Sequence, residues 1–158
     1  MTLIIREDDL RGAAVQALVA LHLEGMRASS PPGHSFALDA DGLRAPGVRF
    51  FTAWEGEHPA GMAALKRLGD GAGELKSMRT HPDFLRRGVA AALLEHVIAA
   101  ARADGMASLS LETGSGAAFE PALALYRRRG FVNGAAFADY VGSDFNQFLH
   151  LELAPQPD

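Results

Sequence analysis

The chain has 158 residues, 48% hydrophobic and 22% charged, with a formal net charge of −4. That length suits one domain with a sizeable core, and the acidic balance argues against nonspecific nucleic-acid binding, which needs a basic surface. Cysteine is absent, which excludes disulfides, thiolate metal sites and a cysteine nucleophile, so any acyl transfer is direct or uses another group.

Thr2–Arg6 reads as a first strand, and Asp8 or Asp9 is expected to cap a helix running to about Arg27, with Val15, Leu18, Val19, Leu21 and Leu23 at helical spacing. Two prolines and a glycine make Ser29–Ser35 a loop, and a short helix is expected within Leu38–Arg44. The interval from His22 to His34 is polar and irregular. It reads either as an acceptor-site lid, with His22, Ser30 and Pro31 touching substrate, or as a plain connection. Val48–Trp54, Pro59–Leu68 and Glu74–Thr80 form a predicted antiparallel meander, with turns at Gly56 and at Gly69–Gly73. Strand alternation would put Glu74, Lys76, Met78 and Thr80 on one face.

A helix is predicted from about Arg86 to Asp104. It would bury Val89, Leu93, Leu94, Val97, Ile98 and Ala101 and stop at Gly105. Ala107–Glu112 follows as a strand, and the crossover rule makes it a parallel neighbour of Glu74–Thr80. A further helix spans Phe119–Arg129, with a short strand at Phe131–Asn133. Residues 134–144 form a loop anchored by Phe137 and Tyr140. Phe145–Leu153 is the last strand, and Ala154–Asp158 a frayed tail. One domain, 1–154, is expected. The N-terminus has no basic segment followed by an apolar one. The longest apolar runs, such as Val89–Leu94, are far shorter than a membrane span, so a cytoplasmic protein without membrane partners is expected. His22, His34 and His81 have no metal-ligand spacing, and no metal is expected.

Leu85-Arg86-Arg87-Gly88-Val89-Ala90 sits where the long helix begins. Free amides and the positive end of the macrodipole gather there, Gly88 permits close approach, and two arginines add charge, so the turn suits a phosphate or pyrophosphate. From the turn alone, a basic helix start that binds nothing is an equal reading. The segment resembles the acetyl-CoA loop of the GNAT acetyltransferases, Gln/Arg-x-x-Gly-x-Gly/Ala, with Leu85 in place of the usual Gln or Arg. His81-Pro82 and Leu125-Tyr126 also sit where that family has them. Ser108–Ser115, Ala136–Tyr140, Ser30–Pro32 and Gly73–Thr80 are similar to a small bacterial GNAT subgroup, the YsnE-type N-acetyltransferases.

The resemblance covers essentially the whole chain. It implies a GNAT-like α/β fold, a mixed seven-stranded sheet flanked by about four helices, with acetyl-CoA as donor and an amine of a small molecule or peptide as acceptor. A homodimer through the last strands is common in the family. Met78, Arg79 and Thr80 would line the pantetheine arm as an added strand does, and the amides of Leu85, Arg86, Arg87, Gly88, Val89 and Ala90 would hold the pyrophosphate. Phe119 stands where many members carry an Asn that touches the same arm. Tyr126 matches the tyrosine near the CoA sulfur. A phenol with a pKa of about 10 stays protonated and can donate to the departing thiolate. A core tyrosine is its other reading. Glu74 lies fourteen residues before Gly88, the spacing of the general base in the histone-modifying branch. It reads as that base or as a solvated turn glutamate. Glu112, at the carboxyl end of the parallel strand, is the second candidate base or a structural carboxylate. Tyr140 joins the acceptor site in this reading. Arg127–Arg129 is either a solvated helix end or a hold on the CoA 3′-phosphate. The alternative to an enzyme is a GNAT-fold module that binds acetyl-CoA without acetylating anything.

Overall fold

The computed structural model describes residues 2–153, so the expected fraying of Ala154–Asp158 lies outside the described residues. The chain runs β1 (Ile4–Glu7), α1 (Ala13–Ser29), α2 (Ala40–Leu43), β2 (Val48–Glu55), β3 (His58–Gly69), β4 (Ala72–Thr80), α3 (Val89–Ala103), β5 (Ser108–Thr113), α4 (Glu120–Arg128), β6 (Val132–Asn133) and β7 (Gln147–Glu152). The seven strands form one mixed sheet, as the resemblance implies, and their order is β1-β2-β3-β4-β5-β7-β6. No helix among the described residues is long and apolar enough to cross a membrane.

The sheet has a core on each face because its central strands alternate with period two. Phe51, Leu65, Leu75, Leu109 and Leu111 point to the side covered by α3 and α4. Phe50, Met62 and Ala64 point to the side covered by α1 and α2, against Leu10, Val15, Leu18, Val19 and Leu43. All six residues predicted for the inner stripe of α3 are buried. The helix lies close to the sheet at Gly61, where a Cβ would come within 2.7 Å of Val89 Cγ1 and 3.0 Å of Leu93 Cδ1. Gly61→Ala is therefore expected to destabilise the protein by about 1–3 kcal/mol through overpacking, read as a fall in Tm.

Three local expectations are corrected. Neither Asp8 nor Asp9 caps α1: their carboxylates accept from the amides of Leu10 and Arg11, which makes a tight turn, and Gly12 takes the cap position without a side-chain bond. The helix expected from Arg86 begins at Val89, because Arg86 (φ 63°) and Gly88 (φ 79°) adopt left-handed conformations that no helix contains. The common face of Glu74, Lys76, Met78 and Thr80 is broken by a bulge: β3 advances from Ala64 to Met62 while β4 advances from Lys76 to Arg79, with Ser77 left-handed at φ 56°. Glu74, Lys76 and Arg79 consequently share the α1 face, and Met78 packs on the α3 side.

The feature that positions the site is a parting of strands. β4 pairs with β5 in parallel at Ala72–Ser108, Gly73–Leu109 and Glu74–Ser110 and no further. Beyond that point β5 remains paired with β7 as far as Thr113–Gln147, while β4 continues to Thr80 beside β3. A wedge therefore opens between the carboxyl-terminal halves of two parallel strands.

Candidate active site

At the mouth of the wedge lies the turn between β4 and α3. His81 Nδ1 accepts from the Asp83 amide at 3.1 Å, and a single 3-10 turn spans Pro82–Phe84. Leu85 is extended, and the left-handed residues Arg86 and Gly88 then reverse the chain into the helix. The first helical bond is from the Ala92 amide to the Gly88 carbonyl at 3.0 Å. Among the described residues, the amides from Leu85 to Ala91 have no backbone acceptor. They form a concave row at the positive end of a fifteen-residue helix. A Cβ on Gly88 would meet nothing within 4 Å, so the space before these amides is open. Arg87 pairs loosely with Glu55 at 3.8 Å and lies over the Phe84 ring at 5.5 Å, and the Leu85 side chain is exposed. This row fits a diphosphate, the anionic centre of coenzyme A.

Tyr126 projects from α4 and is 6% exposed, its ring 5.8 Å from that of Phe131. Its hydroxyl has no hydrogen-bond partner among the described residues, unlike a core tyrosine with a satisfied hydroxyl, and burial pushes its pKa up to about 12. Phe119, in the turn before α4, is buried edge-on against Phe145 with ring centroids 5.6 Å apart.

On the α1 face, Glu74 is 2% exposed and so is not a solvated turn residue. Its Oε2 accepts from Lys76 Nζ at 3.2 Å and from the Tyr140 hydroxyl at 2.5 Å, and Lys76 Nζ also donates to the Tyr140 oxygen at 2.6 Å. Burial and the Glu74 carboxylate together hold the Tyr140 phenol well above its usual range. Glu112 stands on the same face of β5, since Leu109 and Leu111 turn to the opposite core. Burial raises its pKa from 4.5 to about 7, with Lys76 and Asn146 pulling the other way and Glu74 adding to the rise.

A group of this kind leaves a signature in stability. Because the folded-state pKa of Glu112 is raised, the folded protein binds the extra proton between pH 4.5 and 7. The stabilisation is complete below 4.5 and is lost as pH rises through 7. Glu112→Gln is expected to remove that loss, so its Tm should gain on the wild type between pH 5 and 8 in a paired thermal scan.

The two loop segments singled out in the sequence meet over one cavity. Phe36 and Tyr140 lie edge to face at 5.5 Å, and His34 meets Phe145 at 5.8 Å. Beneath them a cavity of about 400 Å³ is lined by His34, Phe36, Lys66, Glu74, Tyr140 and residues 138–143. Ser30 Oγ is buried without a partner, and Pro31 is exposed, its carbonyl accepting from the His34 amide at 3.0 Å. His22 is buried on α1 and does not line this cavity. Its Nδ1 accepts from Arg79 Nε at 2.9 Å, and burial next to that cation lowers its pKa to about 4. Arg79 thus turns its side chain away from the wedge and leaves only its backbone there. Sequence reasoning missed Lys66 and Phe36. Lys66 had a signal: it shares strand parity with Met62 and Ala64, which places a lysine on a face otherwise apolar. No group of three or more metal-ligating side chains occurs among the described residues.

The acetyltransferase (GNAT) family profile matches residues 15–131. The chain is 50% identical to the uncharacterized N-acetyltransferase YedL of Escherichia coli (strain K12), over 94% of both chains. It is 49% identical to the uncharacterized N-acetyltransferase YsnE of Bacillus subtilis (strain 168), over 90% of this chain and 93% of the relative. An IAA acetyltransferase of Azospirillum brasilense is 31% identical over 95% of this chain and 97% of its own. Among solved structures, a candidate acyl-CoA N-acyltransferase from Klebsiella pneumoniae superposes with a TM-score of 0.78 at 25% identity, covering 97% of this chain and 99% of that one. An aminoglycoside 6′-N-acetyltransferase solved with coenzyme A shares the fold at a TM-score of 0.75 and 12% identity, covering 98% and 99%. With a profile across most of its length and relatives at half identity over nearly all of it, the chain belongs to the GNAT acetyltransferase family.

Proposed function

We propose that this protein, as a single domain over residues 1–154, is an N-acetyltransferase that moves the acetyl group of acetyl-CoA directly to an amine of a small molecule or peptide. The observation that carries the reading is the row of unpaired amides from Leu85 to Ala91, opening on the wedge between β4 and β5. Bound there, acetyl-CoA supplies a thioester carbonyl open to attack by an amine. The β4 backbone at Met78, Arg79 and Thr80 faces the wedge unpaired on that side and suits the amides of a pantetheine arm.

Glu112 is the favoured base. Its pKa of about 7 leaves about half of it ionised at neutral pH and basic enough to take the proton of the attacking amine, whereas Glu74 is already engaged by Lys76 and Tyr140 and serves to hold them. As the amine nitrogen bonds to the carbonyl carbon, the carbon–sulfur bond breaks and an amide near Met78 or Thr80 polarises the oxygen. Tyr126 keeps its proton and offers it as a hydrogen bond to the leaving sulfur. With a phenol pKa of about 12, full transfer to a thiolate with a conjugate-acid pKa of about 8.5 would be uphill by roughly 5 kcal/mol. Phe119 closes the wedge with an apolar ring and forgoes the Asn contact.

kcat/KM is expected to rise with pH through an apparent pKa near 7, and Glu112→Gln should flatten that limb and lower the rate about 100-fold. Thiol release measured against amines, amino acids and polyamines tests the whole reading. Leu85 and Phe119, both apolar where the family pattern is polar, favour a second reading, a module that binds acetyl-CoA without turnover. Tight calorimetric binding with no thiol released for any amine is the result that selects it. A cytoplasmic location belongs to the proposal, as does a homodimer beside β6, where Val132 is 64% exposed at the sheet edge.

A further inference from the structure

The α1 face of the sheet beneath the two loops is cationic in a protein whose net charge is −4. Lys66, Lys76 and Arg79 stand on it against Glu74 and Glu112. Lys76 is matched by Glu74. Arg79 has a neutral imidazole as its side-chain partner. Lys66 sits opposite Glu74 in the β3–β4 register and is half-buried in the cavity wall, and it forms no ion pair or side-chain hydrogen bond among the described residues. Asp139 also lines the cavity but is exposed at its rim, beyond ion-pair distance of Lys66. A lysine left partly desolvated without an anion is unfavourable unless something supplies one. Phe36, Ala138, Val141 and the ring of Tyr140 give the rest of the wall an apolar portion that suits an apolar body, beside Gly142 and Ser143, and the roof holds His34 Nδ1 buried without a partner.

We infer that the acceptor is an amine that also carries a carboxylate on an apolar body, the carboxylate pairing with Lys66 while the amine points toward Glu112. Lys66 is then a specificity-determining residue: it holds the acceptor and takes no proton. The inference rests on the acetyl-transfer reading above and narrows its substrate. A polyamine or aminoglycoside would bring several positive charges against this face and is disfavoured.

Matched acceptors test this directly: free amino acids, including phenylalanine, beside their carboxamides and decarboxylated amines, each assayed by thiol release from acetyl-CoA. The expected result is a kcat/KM at least 10-fold higher for the carboxylate than for its amide in the best pair, although the amide has the more readily deprotonated amine. Lys66→Met should reduce the ratio to about 1 through KM with kcat little changed, and Lys66→Arg should restore it. An unchanged Tm would show that Lys66→Met is folded. Equal or better turnover of the amides, or a carboxylate preference that survives in Lys66→Met, would overturn the inference and leave acetyl transfer standing. Tight acetyl-CoA binding with no thiol released for any member would overturn both.

Discussion

Tyr126→Phe is expected to lower kcat by about 100- to 1,000-fold while leaving the donor KM within about threefold. The magnitude is that of removing one fixed donor to a charge that develops only in the transition state. The split between kcat and KM follows from where the hydroxyl sits. It belongs to a buried side chain on α4, makes no hydrogen bond among the described residues, and has its pKa pushed up to about 12 by burial, so it is protonated at every working pH and holds nothing in place in the resting protein. For the same reason the change should not reduce stability, because the hydroxyl oxygen makes no hydrogen bond among the described residues and is not among their fully buried polar atoms, so removing it breaks no internal bond. Steady-state kinetics with a thermal melt measure both. A fall in Tm of several degrees, or a rate within twofold of wild type, would return Tyr126 to the core as a packing residue.

The same residue shows what the sequence could and could not convey. That a tyrosine follows Leu125 shortly before the α4 stop is legible, because helix spacing and Gly130 place it. That its hydroxyl lacks a partner is a property of the packed state. The buried stripe of α3 was readable residue by residue, since a 3.6-residue period survives any tertiary context that merely covers it. The bulge at Ser77 was not, because β4 has an ordinary strand pattern and nothing in Lys76-Ser77-Met78 demands a left-handed residue. That one residue reversed the face of Met78 and Thr80 and sent Arg79 to His22. Asp8 and Asp9 show the reverse error: good capping residues that bond their own turn two residues on, leaving a glycine at the helix start. Tyr140 was legible as an anchor of a long loop. Its bond to Glu74, 66 residues earlier in the chain, is tertiary, as is the meeting of the two loops over Lys66.

The donor site depends on backbone geometry, so the residue without a side chain should matter more than the charged ones beside it. Gly88→Val is expected to raise the dissociation constant for coenzyme A at least 100-fold and to cost no more than about 1–2 kcal/mol of stability. At φ 79° a β-branched residue is strained by about 1–2 kcal/mol, which the chain can relieve by leaving the left-handed region and swinging the neighbouring amides out of their row. If it stays, the new methyls fill the space before those amides, which is open for at least 4 Å around the Cβ position. Both outcomes act on the anion site, and neither creates a clash within the resting protein. Arg86→Ala and Arg87→Ala remove only exposed, screened charge and should each weaken binding about threefold, with the effect shrinking as salt is raised. Dephospho-CoA separates the contributions further. Gly88→Val should weaken it as much as coenzyme A, since the diphosphate is common to both, whereas an Arg127–Arg129 contact to the 3′-phosphate would show only with the intact coenzyme. Calorimetry on the three variants with the two ligands gives the matrix. Near-wild-type affinity in Gly88→Val would mean that the diphosphate is held elsewhere, and the roles given to Tyr126 and Glu112 would lose the alignment on which they rest.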